Sequence, residues 1–250
     1  MRQVRLEHLN TKLFEEGGFT AAIVPIGACE SHGDHMPFGT DALTAHALAV
    51  RAAEQLASTV VLPPLNFGMS DHYRHKPICI SLSSDTQVRV IKDMLLSLHH
   101  WGIERVVILN GHDGNIPCAE IAAREVKVAH PGMSLAILDW WVVVPHMLPK
   151  DLFEVWNGWG HAGEVETSIG LSLFPELMNM AEARGMVPKV DPLMKEIWTF
   201  DELTRHGATG APGRATKEKG DRIVEAVVTY LVNYMTRFEA QGLRYDPSEA

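Results

Sequence analysis

An α/β fold built on a parallel sheet is the architecture this sequence predicts, and three observations point to it. Short runs rich in β-branched and apolar residues alternate with longer segments of helical periodicity. Two dense polar clusters, "GACESHGDHMPFGTD" (27–41) and "GHDGN" (111–115), each follow directly on one of the short runs. A hydrophobic content of 46% over 250 residues supplies one full core. The whole chain, 1–250, reads as a single domain, because no Gly-, Pro- or Ser-rich stretch divides it and no internal repeat is present.

The elements follow in chain order. "AAIVPIG" (21–27) reads as the first strand, and the Ala-rich run "DALTAHALAVRAAEQLA" (41–57) as the helix after it. "STVVLPP" (58–64) is the second strand. In "DTQVRVIKDMLLSLHHWG" (85–102), Val88, Ile91, Leu95 and Leu98 share one helical face, with Ser84 or Asp85 as N-cap. "ERVVILN" (104–110) is the third strand, and "NIPCAEIAAREVKVAHPG" (115–132) a helix with Pro117 in its first turn and Pro131-Gly132 at its end. "SLAILDWW" (134–141) is the fourth strand. Residues 176–215 are the least regular stretch, of the kind that is functional or helps form an oligomer interface. Ile223, Ala226, Val227, Tyr230, Leu231 and Tyr234 then form the stripe of an amphipathic helix over 216–238, and the tail 242–250 reads as frayed.

Composition excludes several functions. A net charge of −9 leaves no basic stripe for a nucleic-acid backbone. No run approaches 18 apolar residues and the N-terminus is charged from its start, so neither a membrane span nor a signal peptide is expected. Cys29, Cys79 and Cys118 form no disulfide framework, which suits a cytoplasmic protein.

The polar clusters carry the chemistry. Loops at the carboxyl ends of parallel strands converge on one crevice, so 27–41 and 111–115 are expected to meet. Glu30, His32, Asp41 and His112 mix imidazole with carboxylate, a donor set suited to zinc, manganese or iron. Period-two alternation puts Glu30 and His32 on one side of an extended segment. Asp41, at a helix start, is the candidate to bridge two ions. A third cluster, "NGWGHAGEVETS" (157–168), holds His161, Glu164 and Glu166. With a helix beginning near Ala162, Glu164 lies beside His161 and Glu166 points elsewhere; capping accounts for one of the two acids. Asp113 is a further possible site residue and argues against a phosphate loop. His72, His75, His99 and His100 read as surface or core residues, with "SDHYRHKP" (70–77) an alternative lining for the mouth of the crevice. Of Trp140, Trp141, Trp156 and Trp159, one is a candidate to stack on a planar substrate, with core packing the expectation for the rest.

"VPIGACESHGDHMPFGTDALTA", "LNGHDGN", "HAGEVETS" and "GAPGRATKEKGDRI" together resemble the ordered motifs of the creatininase (creatinine amidohydrolase) family, over about residues 5–238. The resemblance implies a three-layer α/β/α sandwich with a mostly parallel central sheet and a homo-oligomer, a hexamer among the options. It implies two divalent ions per subunit, zinc first, with manganese or iron as alternatives. It also implies hydrolysis of a non-peptide C–N bond in a small-molecule amide, cyclic amide or formamide. By position, Glu30, His32, Asp41 and His112 are similar to the family's metal ligands, Asp41 to its bridging carboxylate and His161 to a histidine near the substrate. The chain departs at Gly114, where creatininase itself has a ligand Glu, so a replacement carboxylate is expected from Glu164 first and Glu166 second. Asp113 and "KPICISL" depart as well, which loosens the link to creatinine as substrate.

The expected nucleophile is a hydroxide bridging the two ions, with His161 passing a proton to the leaving nitrogen. Rival readings are a family hydrolase acting on a biosynthetic intermediate, such as a formamidopyrimidine or a modified peptide, and a non-catalytic metal-binding protein on the same fold.

Overall fold

The computed structural model describes residues 2–191 and 193–243. The frayed-tail expectation therefore lies largely outside the described residues. Four parallel strands, β1 Ala21–Ile26, β2 Thr59–Val61, β3 Arg105–Asn110 and β4 Ser134–Asp139, form one sheet in the order β2-β1-β3-β4. The helices are α1 Thr11–Gly17, α2 Thr40–Ala53, α3 Ser84–His100, α4 Ile116–Ala129, α5 Val144–Met147, α6 Glu164–Leu173, α7 Phe200–Leu203 and α8 Lys217–Gln241.

The three layers follow from side-chain alternation along the strands. Ile23, Val61, Val107 and Leu109 point to the face covered by α2, α6 and α8. Val24, Val60, Val106 and Ile108 point to the opposite face, covered by α3 and α4. Each strand is apolar on both sides because each side is packed, as parallel sheets require. Burying both stripes is the main stabilising term, at roughly 1.5–3 kcal/mol per large aliphatic side chain.

Departures from the expected bounds have local causes. The strand expected over 58–64 stops at Val61, since Pro63 and Pro64 have no N–H to give the ladder. Pro25 is tolerated in the central strand for a related reason. Its carbonyl accepts from Leu65, so its backbone faces the side from which β2 has already diverged. The N-cap of α3 is Ser83, not Ser84 or Asp85: its hydroxyl accepts from the Thr86 N–H at 3.3 Å. Helix α8 runs three residues past its expected end. No helix among the described residues is long and apolar enough to cross a membrane.

This topology sets the position of the site. The chain leaves β1 for β2 through α2 on one face, then crosses to β3 on the other side of β1 through α3 on the opposite face. The winding therefore reverses between β1 and β3, and a crevice opens at their carboxyl ends. Ile26 of β1, Asn110 of β3 and Asp139 of β4 lie level in register, so the loops after these strands leave the sheet at one height.

Candidate metal centre

The reversal point brings the two polar loops together, with the first turn of α2 between them. Gly111 at the end of β3 allows this approach, because any Cβ there would collide with the Asp41 carbonyl oxygen. Two buried asparagines fix the loops. Asn110 donates to the His112 carbonyl and to Asp139 Oδ1, both at 2.8 Å, and accepts from the His112 N–H at 3.0 Å. Asn115 donates to the Gly27 carbonyl at 3.0 Å and accepts from Gln87 Nε2 at 2.5 Å. The two asparagines of "NGHDGN" thus lock the loops after β1 and β3 to each other and to α3.

Glu30, His32, Asp41 and His112 all reach this crevice and are at most 4% exposed. Asp41 presents one oxygen to each side: Oδ1 lies 2.8 Å from His32 Nε2 and Oδ2 lies 3.2 Å from His112 Nδ1. Glu30 Oε1 lies 3.3 Å from His112 Nδ1 and 3.7 Å from His161 Nδ1. Neither Glu30 oxygen has a hydrogen-bond partner, nor has Asp41 Oδ2, although all three are buried.

The far nitrogen of each ring is equally informative. His32 Nδ1 faces the Glu30 carbonyl at 3.2 Å, His112 Nε2 the Met69 carbonyl at 2.9 Å, and His161 Nε2 the Ser31 carbonyl at 2.7 Å. A carbonyl oxygen only accepts, so each of these nitrogens carries a proton. In a neutral ring the other nitrogen would offer its lone pair to a carboxylate, acceptor against acceptor, so positive charge, a proton or a cation, is called for between them. Metal-binding histidines show this arrangement, anchored through one nitrogen and ligating through the other. The donor set therefore fits divalent cations.

The electrostatics carry the same demand for positive charge. Burial alone favours neutral His32, but the Asp41 carboxylate overrides it and lifts the ring to about 9. Burial likewise opposes charge on His112, and Glu30 followed by Asp41 raises it well above its ordinary value. Asp41 is buried too, yet His32 holds its carboxyl far below the usual range. His161 is pushed well below its ordinary value by burial and then by His32, which keeps it neutral.

The third cluster corrects the expected order of its acids. Glu164 does not reach the crevice; its Oε1 accepts from the half-buried Lys219 Nζ, a pair that ties α6 to α8. Glu166 does reach it, and with His32 and Asp41 forms a group able to hold an ion. The cause is backbone geometry. Ala162 is left-handed at φ 49°, so the helix begins at Glu164, two residues later than expected. That rotation turns Glu164 away and returns Glu166 Oε2 to the Ala162 N–H at 2.5 Å. Burial raises Glu166 to about 7, against the opposing pull of His32. Glu166→Gln is expected to lower bound metal, whereas Glu164→Gln leaves it unchanged and destabilises the fold by about 1–3 kcal/mol through the lost charge-assisted hydrogen bond to Lys219. Metal analysis and denaturant unfolding of the two variants check this.

Asp113 is exposed on the short turn after β3 and joins none of the metal-capable groups among the described residues. Trp140 is core, only 1% exposed, whereas Trp141 and Trp159 line a cavity of about 210 Å³ with Phe153 and Val165. Two residues of "SDHYRHKP", the stretch offered as a lining for the crevice mouth, do lie at the cluster, although neither was singled out as a site residue. His72, expected to be surface or core, stands parallel to His112 with ring centroids 5.7 Å apart, and groups with Glu30 and His112. Tyr73 lies 4.5 Å from His161, ring to ring, with a buried, unpartnered hydroxyl. The loop after β2 also leaves a carboxyl edge, which was the available signal: three strand ends converge here, not two. From the irregular stretch, α7 sets Phe200 over the cluster, 3.9 Å from Tyr73 and 4.9 Å from His161 between ring centroids.

His35, in the same loop, gives a pH dependence. Its Nε2 bonds Thr167 Oγ1 at 2.9 Å, and burial followed by His32 lowers it from 6.5 to about 4. Between those values the unfolded chain takes up a proton that the folded chain does not, so stability is full above about pH 6.5 and falls as pH drops towards 4. Discounted for solvent screening, the loss between pH 6.5 and 5 is on the order of 1 kcal/mol. Urea unfolding at the two pH values is expected to show it, with a flatter profile for His35→Gln.

A closed, charged crevice at the reversal point of a three-layer parallel α/β sheet places the chain among enzymes, and comparison with known proteins gives the class as hydrolase. The family model for creatininase, described as creatinine amidohydrolase, matches residues 7–235. The chain belongs to the creatininase family. It is 29% identical over 231 residues to creatinine amidohydrolase of Pseudomonas putida, covering 84% of this chain and 86% of that one. It is 28% identical over 228 residues to the mycofactocin precursor peptide peptidase of Mycolicibacterium smegmatis, covering 87% and 85%. A Bacteroides fragilis protein, described as a creatinine amidohydrolase, superposes with a TM-score of 0.87 at 30% identity over 98% of this chain and 100% of its own. Two further creatininase structures, one a manganese form and one of Zn-Zn type, align at TM-scores of 0.81 and 0.80 and 26% identity, over 94% and 95% of this chain and 98% of each of theirs.

Proposed function

We propose that this protein hydrolyses a non-peptide C–N bond in a small amide, cyclic amide or formamide, with two divalent cations held by Glu30, His32, Asp41, His112 and Glu166. One observation carries the reading: three buried imidazoles, each anchored to a backbone carbonyl, aim their free nitrogens at carboxylate oxygens. Two ions are supported by the donor count and geometry. Glu30, Asp41, Glu166, His32 and His112 bring more donors into the crevice than one tetrahedral ion takes. Asp41 divides its oxygens between the His32 side and the His112 side, as a bridging carboxylate does.

Bound there, the cations supply a Lewis acid for the amide carbonyl and lower the pKa of a water towards about 7. The chain's own residues do the rest. His161, neutral and fixed through Nε2, has Nδ1 free to take a proton and deliver it to the leaving nitrogen. Tyr73 and Phe200 roof the cluster and exclude bulk water, which strengthens every electrostatic interaction beneath them. That roof favours a compact amide over an extended peptide.

The supporting chemistry of zinc, manganese or iron is similar enough that the experiment tests all three. Chelation is expected to abolish hydrolysis across a panel of cyclic ureas, lactams and formamides, and adding back one of these metals to restore it. Full activity in chelated protein would refute the proposal. We place the enzyme in the cytoplasm, consistent with its three free cysteines. A homo-oligomer is supported by the exposed apolar side chains of Leu193, Met194, Ile197 and Trp198; light scattering of the purified chain tests it.

A further inference from the structure

Position 114 cannot supply a ligand in this chain, for a reason stronger than its being glycine. A Cβ built there would collide with the Met69 carbonyl oxygen, and it would lie 2.5 Å from His112 Nε2 and 3.0 Å from His72 Cε1. The Met69 carbonyl is the acceptor that anchors His112, so it cannot move aside without releasing a ring the site depends on. Backbone from the loop after β2 has closed over the place where a side chain at 114 would begin.

The same loop brings an imidazole to that place. Residues 71–73 form a single 3-10 turn, which presents His72 to the crevice and buries Tyr73 beside it. The His72 ring stands parallel to His112, with 5° between the planes. One donor atom each from Glu30, His72 and His112 lie within 4.8 Å of one another, a spacing that one ion can span. Phe200 packs against His72 at 5.7 Å between ring centroids.

Without this residue each half has three donors, His32, Asp41 Oδ1 and Glu166 on one side and His112, Glu30 and Asp41 Oδ2 on the other, and on the second side Glu30 is also shared towards His161. We propose that His72 is a ligand of the ion on the His112 side, beside Glu30 and His112. The inference rests on the two-ion reading above. It makes that half of the centre richer in nitrogen than the half with His32, Asp41 and Glu166, and so shifts its preference from manganese towards zinc.

The test uses full-length protein stripped with chelator and titrated with zinc alone, then with manganese alone, following heat and bound ion. Parent protein is expected to take up two ions. His72→Ala and His72→Gln, the second of which keeps most of the side-chain volume, are expected to keep one ion at parental affinity. Both should bind the other at least about 10-fold more weakly, since loss of even an outer-shell partner weakens a site by roughly 10–100-fold. Thermal melting of the stripped proteins confirms that each variant is folded. Cobalt-loaded parent and variants add a spectroscopic readout, because loss of a nitrogen donor alters the visible bands. Two ions bound by both variants with affinities within a few-fold of the parent would overturn the role of His72 while leaving the proposed function intact, as would loss of both ions together. A parent that binds fewer than two ions would instead remove the reading on which the inference stands.

Discussion

Asp41→Ala is expected to strip both cations from the protein and to lower hydrolysis by at least about 10³-fold, the upper end of what a single preorganised electrostatic group contributes. Asp41 presents one oxygen to each half: Oδ1 faces His32 and Oδ2 faces His112. The fold itself is expected to survive. A carboxylate in the first turn of α2 stabilises the helix dipole by only about 0.3–1 kcal/mol, small against the roughly 5–15 kcal/mol that holds a domain together. In the stripped protein His32 and His112 lose a carboxylate that favours their charged form, and burial then favours the neutral rings. Elemental analysis and a melting curve on one preparation separate these effects. Retention of two ions by the variant would move the bridging role to Glu30.

His161→Ala is expected to lower kcat by about 10²–10⁴-fold, the range assigned to a positioned proton-transfer group, while both ions stay bound. The ring is the most exposed of the three anchored imidazoles, with 12% of its side chain accessible, and its Nδ1 stands furthest from the carboxylates, 3.7 Å from Glu30. It is therefore better placed to meet a substrate than to hold an ion. KM is expected to change less than kcat, because the proton moves only as the C–N bond breaks. Steady-state kinetics and metal content on the same sample check both points. Loss of an ion in this variant would make His161 a ligand.

Much of the fold was legible because it depends on periodicities that single segments carry. The four strands and the helices over 40–53, 84–100, 116–129 and 217–241 were each announced by their own apolar pattern. Strand-end convergence then sufficed to bring Glu30, His32, Asp41 and His112 together, since a parallel sheet delivers its loops to one edge. What stayed hidden depended on backbone conformation that no local pattern encodes. The left-handed Ala162 sets which of Glu164 and Glu166 faces the crevice, and Lys219 from a distant helix claims the other. His72 was legible only as part of a stretch that could line the crevice mouth, because it enters through the loop after β2, whose strand is cut to three residues by its prolines, so its carboxyl edge was weakly marked. Phe200 comes from the stretch with no regular pattern at all, where only packing against Tyr73 reveals its position.

Anomalous diffraction from crystals of the protein loaded with zinc, and separately with manganese, tests most directly whether the buried imidazole–carboxylate cluster is a two-ion centre. Two peaks about 3.5–4 Å apart are expected, one among His32, Asp41 and Glu166 and the other among Glu30, Asp41 and His112. Peaks elsewhere, or none, with protons on His32 and His112 satisfying the carboxylates, would contradict it.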